Sequence, residues 1–321
     1  MILDFFKDTL DGKSWERLCD GCYRDRFQDH HYTKVPPNYQ GDAGIEGFTR
    51  TGIVYQCYCP EKEYTDNELY TAQRNKVTKD IEKLIDEKNA KRLVALGVNC
   101  VKEWHFVIPE YRDKRIVEHL ETKRLEILAA KQKNPETFFY IDDDIILVIK
   151  EAEDFKVELV RLVRNPLVDT QLNLAVKNVR SVDWTQCDTT KIDNIKRKVM
   201  AIMNTDEDDE DYKDMVQFWA ESYLKGIEIM SKLQQSYGSV YEDLFELEQQ
   251  YKADVSMRSK MNSDHSLNKS LFDEIMEEFE ATLLEEFKFF SKPSIMELKR
   301  DLISGWLADC SLQFKAGKKN V

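Results

Sequence analysis

Residues 41–61, GDAGIEGFTRTGIVYQCYCPE, decide the fold of the first half of the chain. The segment predicts a β-hairpin with IEGF and IVYQCYC as strands and TRTG as the turn, because β-branched and aromatic residues flank a turn that contains glycine. In such a hairpin Glu46 and Gln56 lie on neighbouring strands. Side chains alternate between the two faces of a strand, so Gln56 shares its face with Val54 and Tyr58.

A hard cation would explain why an acid and an amide are paired in this hairpin. An oxygen of Glu46, the amide oxygen of Gln56 and the backbone carbonyl of Cys57 can converge on one point. Mg²⁺ or Mn²⁺ binds such oxygens, and Mg²⁺ keeps several waters when it does so. The alternative is that Glu46 is an ordinary acid beside a turn, although an amide inside a strand rarely lacks a partner.

The segments around the hairpin alternate between helical and strand patterns. The predicted elements are helices at residues 14–27, 66–88 and 114–133, a strand at 104–108 and a short strand FFYI, with IILVI as the start of the next element. Ser14 is the predicted N-cap of the first helix. Asp142, Asp143 and Asp144 are predicted to form a turn between FFYI and IILVI, because consecutive carboxylates on a strand cannot all face one point. This order predicts an α/β domain with a small mixed sheet over residues 1–166.

The character of the sequence changes after Pro166, where helical patterns replace the strand patterns. The predicted helices are 192–203, 212–235, 240–251, 271–290 and 295 to about 314, with Ser294 capping the last. Residues 167–321 are therefore predicted to be an all-α domain for oligomerisation or partner binding. The acidic run at 206–211 is interpreted as a solvated loop between helices, with a DNA-mimicking or partner-binding element as the weaker alternative.

The length and composition indicate two domains with hydrophobic cores and no membrane span. A chain of 321 residues is longer than most single domains, and no apolar run approaches the roughly 20 residues that cross a bilayer. The N-terminus carries acids from Asp4 onward and lacks the basic region of a secretory signal. We therefore expect a cytoplasmic protein.

The charge distribution leaves two interpretations open. The net charge of −13 argues against nucleic-acid binding through overall charge, but residues 74–133 contain 15 Lys and Arg against 10 Asp and Glu, a balance of +5. A local basic strip can contact phosphates even in an acidic protein. The same strip can equally be a solvated, charged helix face.

Seven cysteines, an odd number in a chain of this length, indicate reduced thiols rather than a disulfide framework. Cys19, Cys22, Cys57 and Cys59 suggest zinc as a weaker alternative, since their spacing matches no compact zinc module. His105, within the apolar run WHFVI, is predicted to be a core histidine with satisfied hydrogen bonds.

The order of a helix with W-E-x-L, then G-D-x-G-I-E-G, then a strand with Y-Q-C resembles the PD-(D/E)XK, or restriction-endonuclease-like, nucleases, in particular their Mrr-like branch. The resemblance covers roughly residues 14–110. In that family an acid opens the second strand and an E/Q-x-K tripeptide lies on the third. The resemblance implies that Glu46, Gln56 and the carbonyl of Cys57 bind the metal, and that Glu16 on the first helix adds a carboxylate.

The chain departs from the family pattern at Tyr58, which stands where the family has its lysine. A phenol with a pKa of about 10 donates a hydrogen bond but stabilises negative charge poorly at neutral pH. Some family members carry this lysine on a neighbouring helix, and Lys76 is then the first choice. A subgroup with Q-x-Y-x-P-E, associated with bacterial anti-phage systems, would make Tyr58 and Glu61 parts of a variant site.

The resemblance implies a Mg²⁺-dependent DNA endonuclease, the effector of an anti-phage defence system. It also implies a regulatory protein partner, such as an ABC or SMC-like ATPase, and a homo-oligomer. The alternative is a non-catalytic interaction protein that keeps the nuclease fold as a scaffold. Tyr58 and the acidic overall charge favour that alternative.

Overall fold

The computed structural model describes residues 2–6, 10–36, 43–165, 171–174, 189–309 and 312–314. The chain divides into two compact units, Met1–Val168 and Asp169–Val321. The first contains a mixed sheet flanked by helices and the second is predominantly helical, which confirms the predicted fold class. No helix among the described residues is long and apolar enough to cross a membrane.

The first unit is built on a five-stranded mixed sheet with its strands in chain order. The strands are β1 Thr33–Lys34, β2 Gly47–Phe48, β3 Ile53–Cys57, β4 Val101–Ile108 and β5 Ile141–Glu151. The predicted hairpin is β2 and β3, which pair antiparallel. Strand β1 pairs antiparallel with β2, whereas β3, β4 and β5 are parallel. Strand β1 was not predicted, because two residues are too few to show a period.

Five α-helices accompany the sheet among the described residues of this unit. They are α1 Gly12–Arg26, α2 Asp66–Leu84, α3 Glu87–Leu96, α4 Arg115–Lys133 and α5 Lys156–Arg164. The N-cap of α1 is Asp11 and not Ser14, because Asp11 accepts from the Ser14 backbone N–H at 2.7 Å while the Ser14 hydroxyl binds the Asp11 N–H. Helix α2 ends at Leu84 rather than Lys88, since Asp86 caps the separate helix α3.

Helix α1 covers one face of the sheet. The Tyr23 ring stacks on Tyr55 of β3 with ring centroids 3.9 Å apart, and the Trp15 indole N–H donates to the Val107 carbonyl of β4 at 3.2 Å. These residues are buried, as the helical spacing of α1 predicts. Helix α1 therefore fixes the central strands β3 and β4 from one side.

Helices α2 and α4 cover the other face. Val54, Trp104 and Phe106 of the sheet belong to one buried cluster with Val77 of α2 and Ile116 of α4. Burying a side chain of this size stabilises the fold by about 1.5–3 kcal/mol. The hairpin is thus held between two helical layers, and its polar residues are carried into the interior with it.

The prediction of a turn at Asp142–Asp144 is wrong, because the triplet lies inside β5. Val101 pairs with Ile141 but Glu103 pairs with Ile146, so an irregularity in β5 takes up the intervening residues. Such a bulge lets a strand continue while its polar side chains face solvent. The predicted strand FFYI is wrong for residues 138–140, which form a bend and turn before β5, whereas Ile141 begins β5.

The second unit contains the helices α6 Thr189–Met203, α7 Glu210–Ser236, α8 Gly238–Met261, α9 Asn268–Glu286 and α10 Lys292–Ala308. Trp306 lies at its centre, with its ring centroid 4.8 Å from that of Phe279. The N-cap of α10 is Ser291 and not Ser294. Part of the acidic run starts a helix instead of forming a loop, since Asp209 caps α7 by accepting from the Tyr212 N–H at 3.2 Å.

Gly44 lies where the chain entering β2 meets helix α2. Its φ is 85°, and a Cβ there would lie 2.3 Å from the Asp80 carbonyl oxygen. We expect Gly44→Ala to lower the free energy of unfolding by at least about 2 kcal/mol, because a left-handed conformation and a backbone clash both oppose it. Urea denaturation measures the loss.

The control is Gly12→Ala, since a Cβ on Gly12 meets nothing within 4 Å. That change is expected to leave stability unchanged or to raise it slightly, because alanine is the better helix former. Equal losses in the two proteins would contradict the role assigned to Gly44.

Candidate functional site

Glu46 and Gln56 lie side by side in the hairpin, as predicted. Glu46 directly precedes β2, and Gln56 lies in β3. The Gln56 amide N–H donates to a carboxylate oxygen of Glu46 at 3.0 Å. Gln56 is completely buried and Glu46 is 9% exposed, so this is an interior contact. A hydrogen bond to a charged group typically stabilises a fold by about 1.5–3 kcal/mol.

The backbone of Glu46 is fixed by strands on both sides. Its N–H donates to the Tyr55 carbonyl of β3 at 2.7 Å, and its carbonyl accepts from the Val35 N–H next to β1 at 2.7 Å. The carboxylate is therefore carried on a backbone with little freedom to move. A site that must hold a ligand in one geometry needs such support.

The amide oxygen of Gln56 is buried and has no hydrogen-bond partner among the described residues. An unsatisfied buried acceptor costs about 1–3 kcal/mol. The amide nitrogen and oxygen exchange places in a 180° flip, and their assignment follows from the surrounding hydrogen bonds. In the orientation found here the amide nitrogen faces the Glu46 carboxylate and the oxygen points away from it. A cation held by both residues would therefore need the flipped amide, with its oxygen toward the carboxylate.

The pair supplies one carboxylate and one amide. Among the described residues no group of three or more His, Cys, Asp or Glu is arranged to hold a metal ion. Glu16, the predicted additional ligand, instead forms an ion pair with Lys34. The distance from Lys34 Nζ to Glu16 Oε1 is 3.0 Å. A cation at Glu46 and Gln56 would need waters to complete its shell, which Mg²⁺ keeps readily.

Lys34 is the residue of this site that the sequence analysis missed. It lies in β1, which pairs with the strand that Glu46 precedes, and its side chain is 27% exposed. Partial burial lowers its pKa, but the carboxylates of Glu16, Asp20 and Glu46 outweigh this effect and hold the pKa above its ordinary value. Lys34 therefore keeps its positive charge at neutral pH, and this charge interacts with the carboxylate of Glu46.

Lys76, the predicted replacement for the family lysine, is paired with Asp80. Its ammonium lies 2.8 Å from Asp80 Oδ2, and Lys83 lies 3.1 Å from the other oxygen. Asp80 is 1% exposed, so two cations neutralise a buried carboxylate. The spacing of four residues between Lys76 and Asp80 is the ordinary spacing of a helical ion pair.

Tyr58 follows β3, and its N–H donates to the Val107 carbonyl at 3.0 Å. Its ring packs against the core cluster. Burial raises the pKa of Tyr58 to about 12, and the charge and hydrogen bond of Tyr64 act in the same direction. The phenol therefore stays protonated at neutral pH and offers a hydrogen bond but no charge.

Two buried thiols lie beside this site. Burial raises the pKa of Cys19 well above its ordinary value, and the hydrogen bond with Cys57 and the charge of Glu46 raise it further. A thiol of this kind is a poor nucleophile and metal ligand. Cys22 and Cys59 are buried free thiols too.

His105 has two hydrogen-bond partners in the core, as predicted. Its Nδ1 lies 2.7 Å from the Tyr23 hydroxyl, and its Nε2 lies 2.8 Å from a carboxylate oxygen of Glu103. Burial lowers the pKa of His105, although the hydrogen bond with Glu103 opposes this effect. The imidazole is thus held neutral inside the fold.

The basic residues of α4 are largely neutralised by neighbouring acids. Arg124 and Glu121 are 2.7 Å apart, and Lys131 lies 2.6 Å from Asp143. Lys123 is paired with Glu126 in the same way. These pairs favour the interpretation of the basic strip as a solvated helix face.

Comparison with the models of known protein families, with curated proteins and with solved structures gave no match.

His105 predicts a loss of stability in mild acid. The unfolded chain takes up a proton below the ordinary pKa of 6.5, whereas folded His105 resists protonation. Unfolding therefore binds a proton as the pH falls below about 6.5, and the stability that this residue contributes at higher pH is lost. Urea denaturation between pH 7.5 and 5.5 is the measurement.

The control is His105→Gln, which keeps an amide between Tyr23 and Glu103 but does not titrate. The stability of the native chain is expected to fall relative to this variant by up to about 1.4 kcal/mol per pH unit below 6.5. Parallel pH profiles for the two proteins would show that His105 is not responsible.

Proposed function

We propose that the protein is a metal-dependent phosphodiester hydrolase that acts on DNA. The observation that carries the proposal is the buried pair of Glu46 and Gln56, in which the amide oxygen has no partner among the described residues. The acid directly precedes the second strand and the amide lies on the third. These are the positions that the resemblance to PD-(D/E)XK nucleases assigns to the metal ligands.

Glu46, Gln56 and the backbone carbonyl of Cys57 would hold the ion. When bound, Mg²⁺ would supply the Lewis acidity that polarises the phosphodiester. The two side chains are buried, whereas the side chains of Lys34 and Glu16 are partly exposed, at 27% and 26%.

In this proposal Lys34 takes the part that the sequence analysis gave to Lys76. Its ammonium lies 3.0 Å from a carboxylate oxygen of Glu16, which orients it, and the charge of Glu46 helps to hold its pKa above the ordinary value. A fixed cation beside the reacting phosphate neutralises charge that develops in the transition state. Tyr58, with its protonated phenol, can add a hydrogen bond only.

The biological setting is proposed from the resemblance alone. It comprises an effector role in bacterial anti-phage defence, control by an ABC or SMC-like ATPase, and homo-oligomerisation through residues 167–321. A shared fold does not establish a shared function.

The second candidate is a non-catalytic scaffold. Tyr58 in the lysine position favours it, and so does the supply of a single carboxylate by the buried pair. On this proposal Lys34 would serve only to neutralise Glu16 and Glu46. Metal binding separates the two candidates.

Cleavage of linear, circular and single-stranded DNA with Mg²⁺ or Mn²⁺ tests the leading proposal. We expect cleavage by the native chain and a loss of at least about 100-fold in Glu46→Gln, which removes the charge but keeps the shape of the side chain. Mn²⁺ binding, measured by calorimetry, should weaken in parallel. Glu82→Gln, an exposed change on α2, is the control and should alter neither.

If the native chain neither cuts DNA nor binds Mn²⁺, the scaffold is the better proposal. If it binds Mn²⁺ without cutting, the metal site stands and the hydrolase assignment requires the regulatory partner to be present. Cleavage that is equal in Glu46→Gln would place the active site elsewhere.

The two lysines give a second test. Lys34→Met is expected to lower the turnover number by about 100-fold while Mn²⁺ still binds, because it removes only the fixed cation. Lys76→Met should instead lower the free energy of unfolding by about 1–3 kcal/mol, since Asp80 loses one partner. Steady-state kinetics and urea denaturation are run on both. A turnover loss confined to Lys76→Met would restore the original assignment.

A further inference from the structure

An open cleft lies beside helix α1 at its C-terminal end. Its volume is about 450 Å³, and α1, the segment leading into β1, and Leu162 of α5 form its walls. Arg24, Gln28, His31 and Tyr32 line it. The proposed hydrolytic mechanism uses none of these side chains.

The side chains of Arg24, Gln28 and His31 are exposed in the cleft, and part of their hydrogen-bonding capacity faces solvent. Arg24 donates through Nε to Asp20 at 3.1 Å, but its two terminal nitrogens have no recorded partner in the described part of the chain. The side chains of Gln28 and His31 likewise have no hydrogen-bond partner among the described residues. A guanidinium, an amide and an imidazole around one space suit an anion with several oxygens, such as a phosphate.

The acidic groups near the cleft already have partners. Asp25, which also lines it, is paired with Arg161 at 2.9 Å. Asp20 accepts from the Tyr32 hydroxyl at 2.7 Å and from Arg24. The C-terminal end of a helix carries partial negative charge, which opposes an anion there. The positive charge of Arg24 has to outweigh this partial negative charge of the helix end.

The cleft lies close to the proposed hydrolytic site along one chain segment. Tyr32 and Lys34 are two residues apart, and both reach toward α1, where Tyr32 binds Asp20 and Lys34 binds Glu16. Their side chains therefore lie on the same side of the sheet, about 7 Å apart along an extended chain. Two nucleotides of a B-form strand also cover about 7 Å.

The geometry points to a second phosphate subsite: the cleft at Arg24, Gln28 and His31 binds a backbone phosphate of the DNA strand two nucleotides away from the phosphodiester at Lys34. This inference rests on the proposed function, since it takes the same strand as the ligand. Arg24 donates through its terminal nitrogens, and Gln28 and His31 complete the contact. Tyr32 forms the floor, under the Arg24 guanidinium.

Binding of a labelled single-stranded DNA 15-mer, measured by fluorescence anisotropy over a series of NaCl concentrations, tests the subsite. All proteins carry Glu46→Gln, so that no strand is cut. We expect Arg24→Ala to weaken binding about tenfold and to reduce the salt dependence by about one phosphate contact. Arg17→Ala is the matched control: it removes the same charge from an exposed position on the same helix.

Arg24→Ala also breaks the ion pair with Asp20, so a loss of DNA binding in that variant could come from a changed fold. A second variant separates the two causes. The double change Gln28→Ala and His31→Gly removes two donors without a recorded protein partner, and glycine accepts the φ of 54° at residue 31. It should weaken DNA binding about fivefold with an unchanged melting temperature. If both variants bind DNA as Arg17→Ala does, the subsite is overturned.

The outcome separates this inference from the proposed function. Metal-dependent cleavage by the native chain, together with unchanged DNA affinity in the cleft variants, would overturn the subsite alone. Weakened DNA binding in the cleft variants without cleavage by the native chain would support the subsite and leave the hydrolase proposal without support.

Discussion

The hydrogen bond between Gln56 and Glu46 is the interaction on which the architecture of this unit depends. A buried carboxylate is costly unless it is paired, and here its partner lies on the adjacent strand. The backbone of Glu46 also joins β3 to the segment next to β1 through two hydrogen bonds. The short strands β1 and β2 can thus persist although each has only two residues, and helices α1 and α2 pack against a continuous sheet.

Charge balance explains how this interior can be polar and still fold. By formal charge, the carboxylates of Glu16 and Glu46 and the ammonium of Lys34 sum to a single negative charge. A divalent cation would turn this into a single positive charge, which matches one phosphodiester. Without Lys34 the same cation would only neutralise the carboxylates. With a divalent cation bound, the lysine therefore makes the proposed site locally positive. Such a site attracts an anionic substrate even though the net charge of the protein is −13.

Periodicity was sufficient to predict the hairpin, the buried face of α1, the strand at residues 104–108 and the helical second half. It failed where structure depends on pairing rather than on pattern. Strand β1 is too short for a period, so Lys34 was missed, although its nearness to Val35 and Pro36 at the end of a loop is a weak strand signal. The acids of β5 looked like a turn because a bulge cannot be distinguished from one by composition. The pairing of Lys76 with Asp80 was visible in the sequence as a four-residue spacing and argued for a structural lysine.

The candidate site is assembled from three segments, α1 with Glu16, β1 with Lys34 and the hairpin with Glu46 and Gln56. No two of these segments retain their relative positions once the sheet opens. A ligand of this site consequently has affinity for the native state only, and its binding free energy is added to the stability of the whole unit. At a concentration 100 times its dissociation constant, such a ligand stabilises the fold by about 2.7 kcal/mol. A rise in melting temperature would then identify the occupant of the site among candidate cations, even for a protein that never turns over a substrate.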